Sequence, residues 1–179
     1  PAQFDQMKQR TAAPRRRVAA PVEAAPHLGS ANRHTLILGV DPSLRGTGYG
    51  IIQLLRTGPK LIAAGTVKCP SSWERSRCLV KISQTLRDMV RTHSPTACAM
   101  EGLFYAQNLQ TAIIMGEARG AALAAVAESG IEIVEIATRK VKQAIVGYGA
   151  AQKIAVAKMV QRMLDLDNVP EPDAADALA

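Results

Sequence analysis

TLILGVDPSLRGTGYGIIQ, residues 35–53, decides how the rest of this chain is read. An apolar run (Leu36, Ile37, Leu38, Val40) ends at one carboxylate, Asp41, a Pro/Gly-rich bend follows, and a second apolar run extends from Tyr49 to Leu55. Short apolar runs bounded by turn signals read as buried strands. The stretch is therefore two strands, with an acid at the C-terminal end of the first. Three more acids, Glu101, Asp173 and Asp176, stand where folding can bring them to the same point.

Working outward, Gly58-Pro59 turns the chain into a third strand, Lys60 to Lys68, and three strands on short links predict an antiparallel meander. Pro70-Ser71-Ser72 introduces a helix with Ser72 as N-cap and Leu79, Ile82, Leu86, Met89 and Val90 on its buried face. Ser94-Pro95 ends that helix. Thr96 to Met100 reads as a short buried strand stopping at Glu101, and Asn108 to Ser129 as a helix closed by Gly130. Ile131 to Ile136 is a fifth strand, Thr138 caps a helix to Val146, Gly147-Tyr148-Gly149 is a hinge, and Ala151 to Leu164 is helical. Pro170-Glu171-Pro172 starts a last helix that reaches Ala179. This order predicts an α/β fold, a mixed five-stranded sheet (three antiparallel strands, then parallel ones) flanked by helices.

Composition narrows the class. The chain has 179 residues, enough for one sizeable core, with 47% hydrophobic but only 3% aromatic residues, so the core is aliphatic. The longest apolar stretch, Thr111 to Ala127, is broken by Glu117 and Arg119, so no membrane span is expected. Three cysteines without CxxC pairing (Cys69, Cys78, Cys98) read as reduced thiols in a cytoplasmic protein, and the three histidines show no ligand spacing. Residues 1–34 are rich in Ala, Pro and Arg and carry six basic against two acidic side chains, which predicts a disordered basic tail. The remainder, 35–179, holds 16 basic and 13 acidic side chains. If four of those acids are committed to a metal site, the surface left for a partner favours an anionic polymer such as nucleic acid.

Asp41 and Glu101 each sit where an apolar strand runs out, and sites in α/β sheets lie beyond the C-terminal strand ends. Asp173 and Asp176 are three apart on the last helix, sharing a face in its first turn, where the helix dipole favours negative charge. Four carboxylates in one crevice repel unless cations lie among them. Hard oxygen ligands suit Mg²⁺ or Mn²⁺, and two such ions form a clamp for in-line phosphodiester hydrolysis. Read singly, each acid is as well explained as a turn former or a helix-terminus acid; the Asp-x-x-Asp of DAADALA argues for the set.

LILGVDPSLRGTGYGII, AMEGLFYAQN, GEARGAAL, RKVKQAIVGYGAAQKIAV and DAADALA, in this order and spacing, resemble the RuvC-type Holliday-junction resolvases, over nearly everything from Leu36 to Ala179. The resemblance implies an RNase H-like fold, a homodimer and two Mg²⁺ ions per subunit (Mn²⁺ as a substitute). It also implies symmetric nicking of two strands of a four-way junction in DNA recombination and repair, leaving 5′-phosphate and 3′-hydroxyl ends. Carried over by motif, Asp41, Glu101, Asp173 and Asp176 are the metal-binding and catalytic acids, with Asp41 bridging the ions. Lys142 and Lys153 match DNA-contacting positions, and Arg139 adds to their stripe; solvated helix charge is the plainer reading for Lys140 and Lys158. Phe104 matches an aromatic set against unpaired junction bases, with Tyr105 and Asn108 as weaker candidates on the same loop. RuvA/RuvB-type branch-migration proteins are the implied partners.

The helix stripe Gly116, Gly120, Ala124 permits close approach of another element. Packing on the sheet is one reading, and the dimer interface is what the resemblance implies. Three features depart from the family pattern: Ser43 where glycine is commoner after Asp-Pro, the tail before Thr35, and a last helix expected to be incomplete at Ala179. Ser43 requires a turn without a strained φ. The competing readings are an actin/Hsp70-type nucleotide-binding module, a YqgF-like nuclease of the same fold, and a non-catalytic junction-binding protein.

Overall fold

A computed structural model describes residues 34–102 and 108–179. The expected tail, 1–34, falls almost wholly outside the described residues, as do Phe104 and Tyr105. The strands are β1 (Leu36–Asp41), β2 (Gly46–Leu55), β3 (Gly58–Lys68), β4 (Ala97–Gly102) and β5 (Glu132–Ala137). They form one sheet in the order β3-β2-β1-β4-β5. β1/β2 and β2/β3 are antiparallel, whereas β1/β4 and β4/β5 are parallel. The register sets Val40 beside Met100 and Glu101 beside Ile136, so β1 and β4 end together and project Asp41 and Glu101 from the same edge.

The helices are α1 (Arg75–His93), α2 (Leu109–Ala127), α3 (Thr138–Val146), α4 (Lys153–Met163) and α5 (Pro172–Leu178). Alternation along the strands sends Leu38, Val40, Ile51, Cys98 and Met100 into one core with Cys78, Ile82 and Leu86 of α1 and Ala118, Ala122, Ala125 and Val126 of α2. The fully buried Leu38, Ile51, Ile82 and Leu86 each contribute about 1.5–3 kcal/mol of apolar burial. A second core joins Val156 and Val160 of α4, and Leu164 at its C-cap, to Leu178 of α5, with Ile52 and Leu61 of the sheet and Ile145 and Val146 of α3 against it.

Several local expectations need correction. Ser72 does not cap α1: Pro70–Trp73 forms a turn, Glu74 takes the cap position, and no side chain caps the helix. The Pro/Gly bend is shorter than expected, because Gly46, Thr47 and Gly48 already belong to β2. α4 starts at Lys153, the fourth strand runs on to Gly102, and only Asp173 of the acidic pair lies in the first turn of α5. Thr138 does not cap α3: the cap position belongs to Ala137, and no side-chain bond closes that end. The bend after Asp41 needs no positive φ at Ser43, the two non-glycine cases among the described residues being Ser94 and Asp165. Thr47, fully buried, locks the bend by donating to the Ser43 carbonyl (2.6 Å) and accepting from its N–H (3.1 Å).

Candidate active site

A glycine-lined track on the sheet lets α5 lie against the backbone of β1 and β2. A Cβ on Gly39 would sit 1.9 Å from the Ala177 carbonyl oxygen, and one on Gly48 would sit 1.9 Å from that of Asp173. Gly50 faces the Leu178 side chain at 2.4 Å on the same measure, and Gly46 faces Asp173 Oδ2 at 2.5 Å. Gly39 pairs with Gly50, and Asp41 with Gly48, so the track runs beside Asp41. Its absent side chains are what set Asp173 and Asp176 beside the end of β1.

The result is a cavity of about 360 Å³ whose wall includes Asp41, Glu101, Asp173, Asp176, Lys142 and Lys153. Each of the four acids is half-buried. Asp41 meets Glu101 in a side-chain hydrogen bond, and burial, this contact and the negative charge of Glu101 and Asp176 push its carboxyl up to about 8. Lys153 opposes that rise: its Nζ stands 2.5 Å from Asp176 Oδ2, a contact that in turn raises the Lys153 ammonium. Lys142 lines the same cavity, whereas Arg139 is exposed and packs its stem against Gly149 of the loop joining α3 to α4.

The donor set suits a hard divalent cation: carboxylate oxygens, an open cavity, and a crowding of negative charge that holds a proton on Asp41 well above the usual carboxylate range. Among the described residues no three acidic, histidine or cysteine side chains stand together as a ready single-ion cage. The reason is visible in the pairing. Asp41 is turned to Glu101, and Asp176 has its counter-charge in Lys153. The four carboxylates fit a metal by chemistry and placement, with their rotamers drawn into these contacts.

Glu101 is held by residues that sequence reasoning passed over. The Thr138 hydroxyl donates to its Oε1, and Arg119 of α2 donates to its backbone carbonyl at 2.5 Å while pairing with Glu135 of β5. Arg119 is the one basic side chain on α2, a helix that also carries Gln110, Thr111 and Glu117, and what it holds on Glu101 is a backbone carbonyl. For the glycine track the signal was the strict alternation Gly46, Gly48, Gly50 on one strand face. Asn108 caps α2, accepting from the Thr111 N–H at 2.8 Å. Among the described residues, nothing lies within 4 Å of a Cβ on Gly116 or Gly120, so that face of α2 is not packed on the sheet.

Comparison with known proteins agrees with this fold. The family profile described as "Crossover junction endodeoxyribonuclease RuvC" matches residues 37–179. A protein of that name from Akkermansia muciniphila is 43% identical over 143 residues, 80% of this chain and 86% of its own length. One from Acinetobacter baylyi is 45% identical over 144 residues, 80% and 79% of the two chains. Among solved structures, Thermus thermophilus RuvC in complex with a Holliday junction substrate superposes with a TM-score of 0.75 at 30% identity. That superposition covers 81% of this chain and 89% of the other.

Proposed function

The chain belongs to the RuvC family of crossover junction endodeoxyribonucleases, and we propose that it resolves four-way DNA junctions with Asp41, Glu101, Asp173 and Asp176 as its catalytic, metal-holding acids. The observation that carries this reading is the meeting of those acids with Lys142 and Lys153 in one cavity, although they are distant in sequence. Two divalent ions, Mg²⁺ or Mn²⁺, would supply activation of the attacking water and stabilisation of the leaving 3′ oxygen. Asp41, at the end of the central strand, would hold these ions together with Glu101 and the Asp173/Asp176 pair of α5. Strand scission then leaves a 5′-phosphate and a 3′-hydroxyl.

Lys142 and Lys153 meet the DNA backbone near the scissile phosphate. Phosphate contacts of this kind position the substrate and make binding salt-dependent. Arg139, outside the cavity but exposed on the same helix as Lys142, extends the path, and Phe104 is assigned the contact with unpaired bases. The resting ion pair of Lys153 with Asp176 holds that acid in place, and a bound cation would take over as its counter-charge.

Two copies act on one junction. The open face of α2 supports this, since Leu109 and Ile113 are 77% and 49% exposed beside the uncovered Gly116, Gly120 and Ala124. A two-fold dimer presents one cavity to each of two symmetry-related strands. RuvA/RuvB-type proteins complete the expected partners.

The test is a synthetic four-way junction incubated with Mg²⁺, beside an Asp41→Asn control. Paired symmetric nicks from the parent, and binding without cleavage from the control, are expected. Equal cutting of linear duplex would replace the reading with a general nuclease; junction binding with no cutting by the parent would replace it with a binding protein.

A further inference from the structure

Among the described residues, Glu101 is the one acid of the four whose backbone carbonyl and carboxylate both accept from side chains of other elements. Its carbonyl oxygen accepts from Arg119 at 2.5 Å, and its Oε1 accepts from Thr138. Neither contact is explained by ordinary stability needs. Among the seven ion pairs of the described residues, Arg119 supplies the least exposed cation, its side chain 11% accessible, while the other lysines and arginines run from 41% upward. A guanidinium withdrawn from water carries a desolvation cost that one ion pair with an exposed partner such as Glu135 offsets only in part. Thr138 lies one position past the cap of α3, and its hydroxyl is committed to Glu101 across to the end of β4. A cation largely withdrawn from water and a hydroxyl, from two different helices, thus converge on the same acid.

Resting on the reading of Glu101 as a metal-holding carboxylate, we infer that Arg119 and Thr138 are positioning residues that fix Glu101 for the divalent ion. Arg119 sets the height of the β4 end by holding the carbonyl. Its pairing with Glu135 keeps the guanidinium plane aimed, which a planar five-donor fork does and a single ammonium does not. Thr138 fixes the carboxylate rotamer, leaving the second oxygen for Asp41 or a cation. Partners that orient a metal-binding carboxylate in this way typically alter metal affinity or activity about 10–100-fold when removed.

The experiment uses Mn²⁺ as the probe, with binding followed by electron paramagnetic resonance on the full chain without DNA, and junction cleavage kinetics measured in parallel. Arg119→Lys keeps the charge and the fold; Thr138→Val removes the hydroxyl at constant shape, and Thr138→Ser restores it. Expected are Mn²⁺ binding weakened about tenfold or more in Arg119→Lys and Thr138→Val and near-parent binding in Thr138→Ser. The kcat should fall to match, with KM for the junction unchanged. Thermal melting identifies any variant that has merely lost its fold. Parent-like Mn²⁺ affinity in folded Arg119→Lys and Thr138→Val would overturn the inference even if the parent cuts junctions normally. A parent that binds Mn²⁺ yet cuts nothing would instead refute the resolvase reading, and the binding comparison would still decide this one.

Discussion

Asp41 is asked to be an anion in a place that resists one. Its carboxyl titrates at about 8 in the folded chain against 3.8 for an unperturbed group, chiefly through burial and then through Glu101. Between those two values the folded state binds more protons than the unfolded state, so the metal-free protein loses stability as pH rises from about 4 to about 8 and levels off above. Asp41→Asn removes the ionisation and should flatten this slope. In chelator at pH 8.5 the variant is expected to melt about 5 °C higher than the parent while being inactive. Differential scanning calorimetry across pH checks this, and identical slopes in both proteins would contradict the assigned electrostatics. The two lysines separate at the same scale. Lys142 has no ion pair among the described residues, so Lys142→Ala should weaken junction binding and reduce the slope of log K against log salt by about 1. Lys153 already pairs with Asp176, so Lys153→Ala should change that slope less and turnover more. Fluorescence anisotropy at several salt concentrations distinguishes the two.

At the scale of elements, the site depends on how closely α5 approaches the sheet. A methyl on Gly48 would enter the Asp173 carbonyl, and one on Gly39 would enter that of Ala177; both obstacles are backbone, which cannot rotate aside. Gly48→Ala should therefore cost about 1–3 kcal/mol in a denaturant melt and displace α5, with activity lost beyond what the unfolded fraction explains. A folded, fully active Gly48→Ala would mean that α5 need not sit where it does. The strands, their order of appearance and the acids at their ends were legible, because burial writes a period-two or continuous apolar pattern into β1, β2 and β4. Gly46 and Gly48 of the track read as part of a bend because glycine signals a turn and a close approach with the same letter. Ser72 and Thr138 were read as caps because hydroxyl residues before a helix usually are; the chain instead folds a turn at one and commits the other to Glu101. Arg119 was invisible for a different reason. Its partner on Glu101 is a backbone carbonyl, which no side-chain pattern announces.

For the whole molecule the open question is what covers α2. Its inner face is alanine-rich and packs on the sheet core through Ala118, Ala122 and Ala125, yet its outer face carries Leu109 and Ile113 into solvent beside two glycines with free space around them. Glycine inside a helix costs about 1 kcal/mol relative to alanine. Alanine at Gly116 or Gly120 meets no atom of another element within 4 Å among the described residues, so either change should stabilise an isolated subunit by that amount. If a second copy packs closely there, the same methyl is a collision and association weakens instead. The two effects have opposite signs and are measured separately. Analytical ultracentrifugation of Gly120→Ala should show a raised monomer–dimer dissociation constant, while urea unfolding at concentrations where the chain is monomeric should show higher stability. Ile113→Glu takes the argument further by placing a charge in the apolar centre of that face: the chain should remain folded, sediment as a monomer, and lose paired nicking of the junction. A dimer that survives both changes would place the second copy elsewhere, and the small-residue face of α2 would then need another explanation.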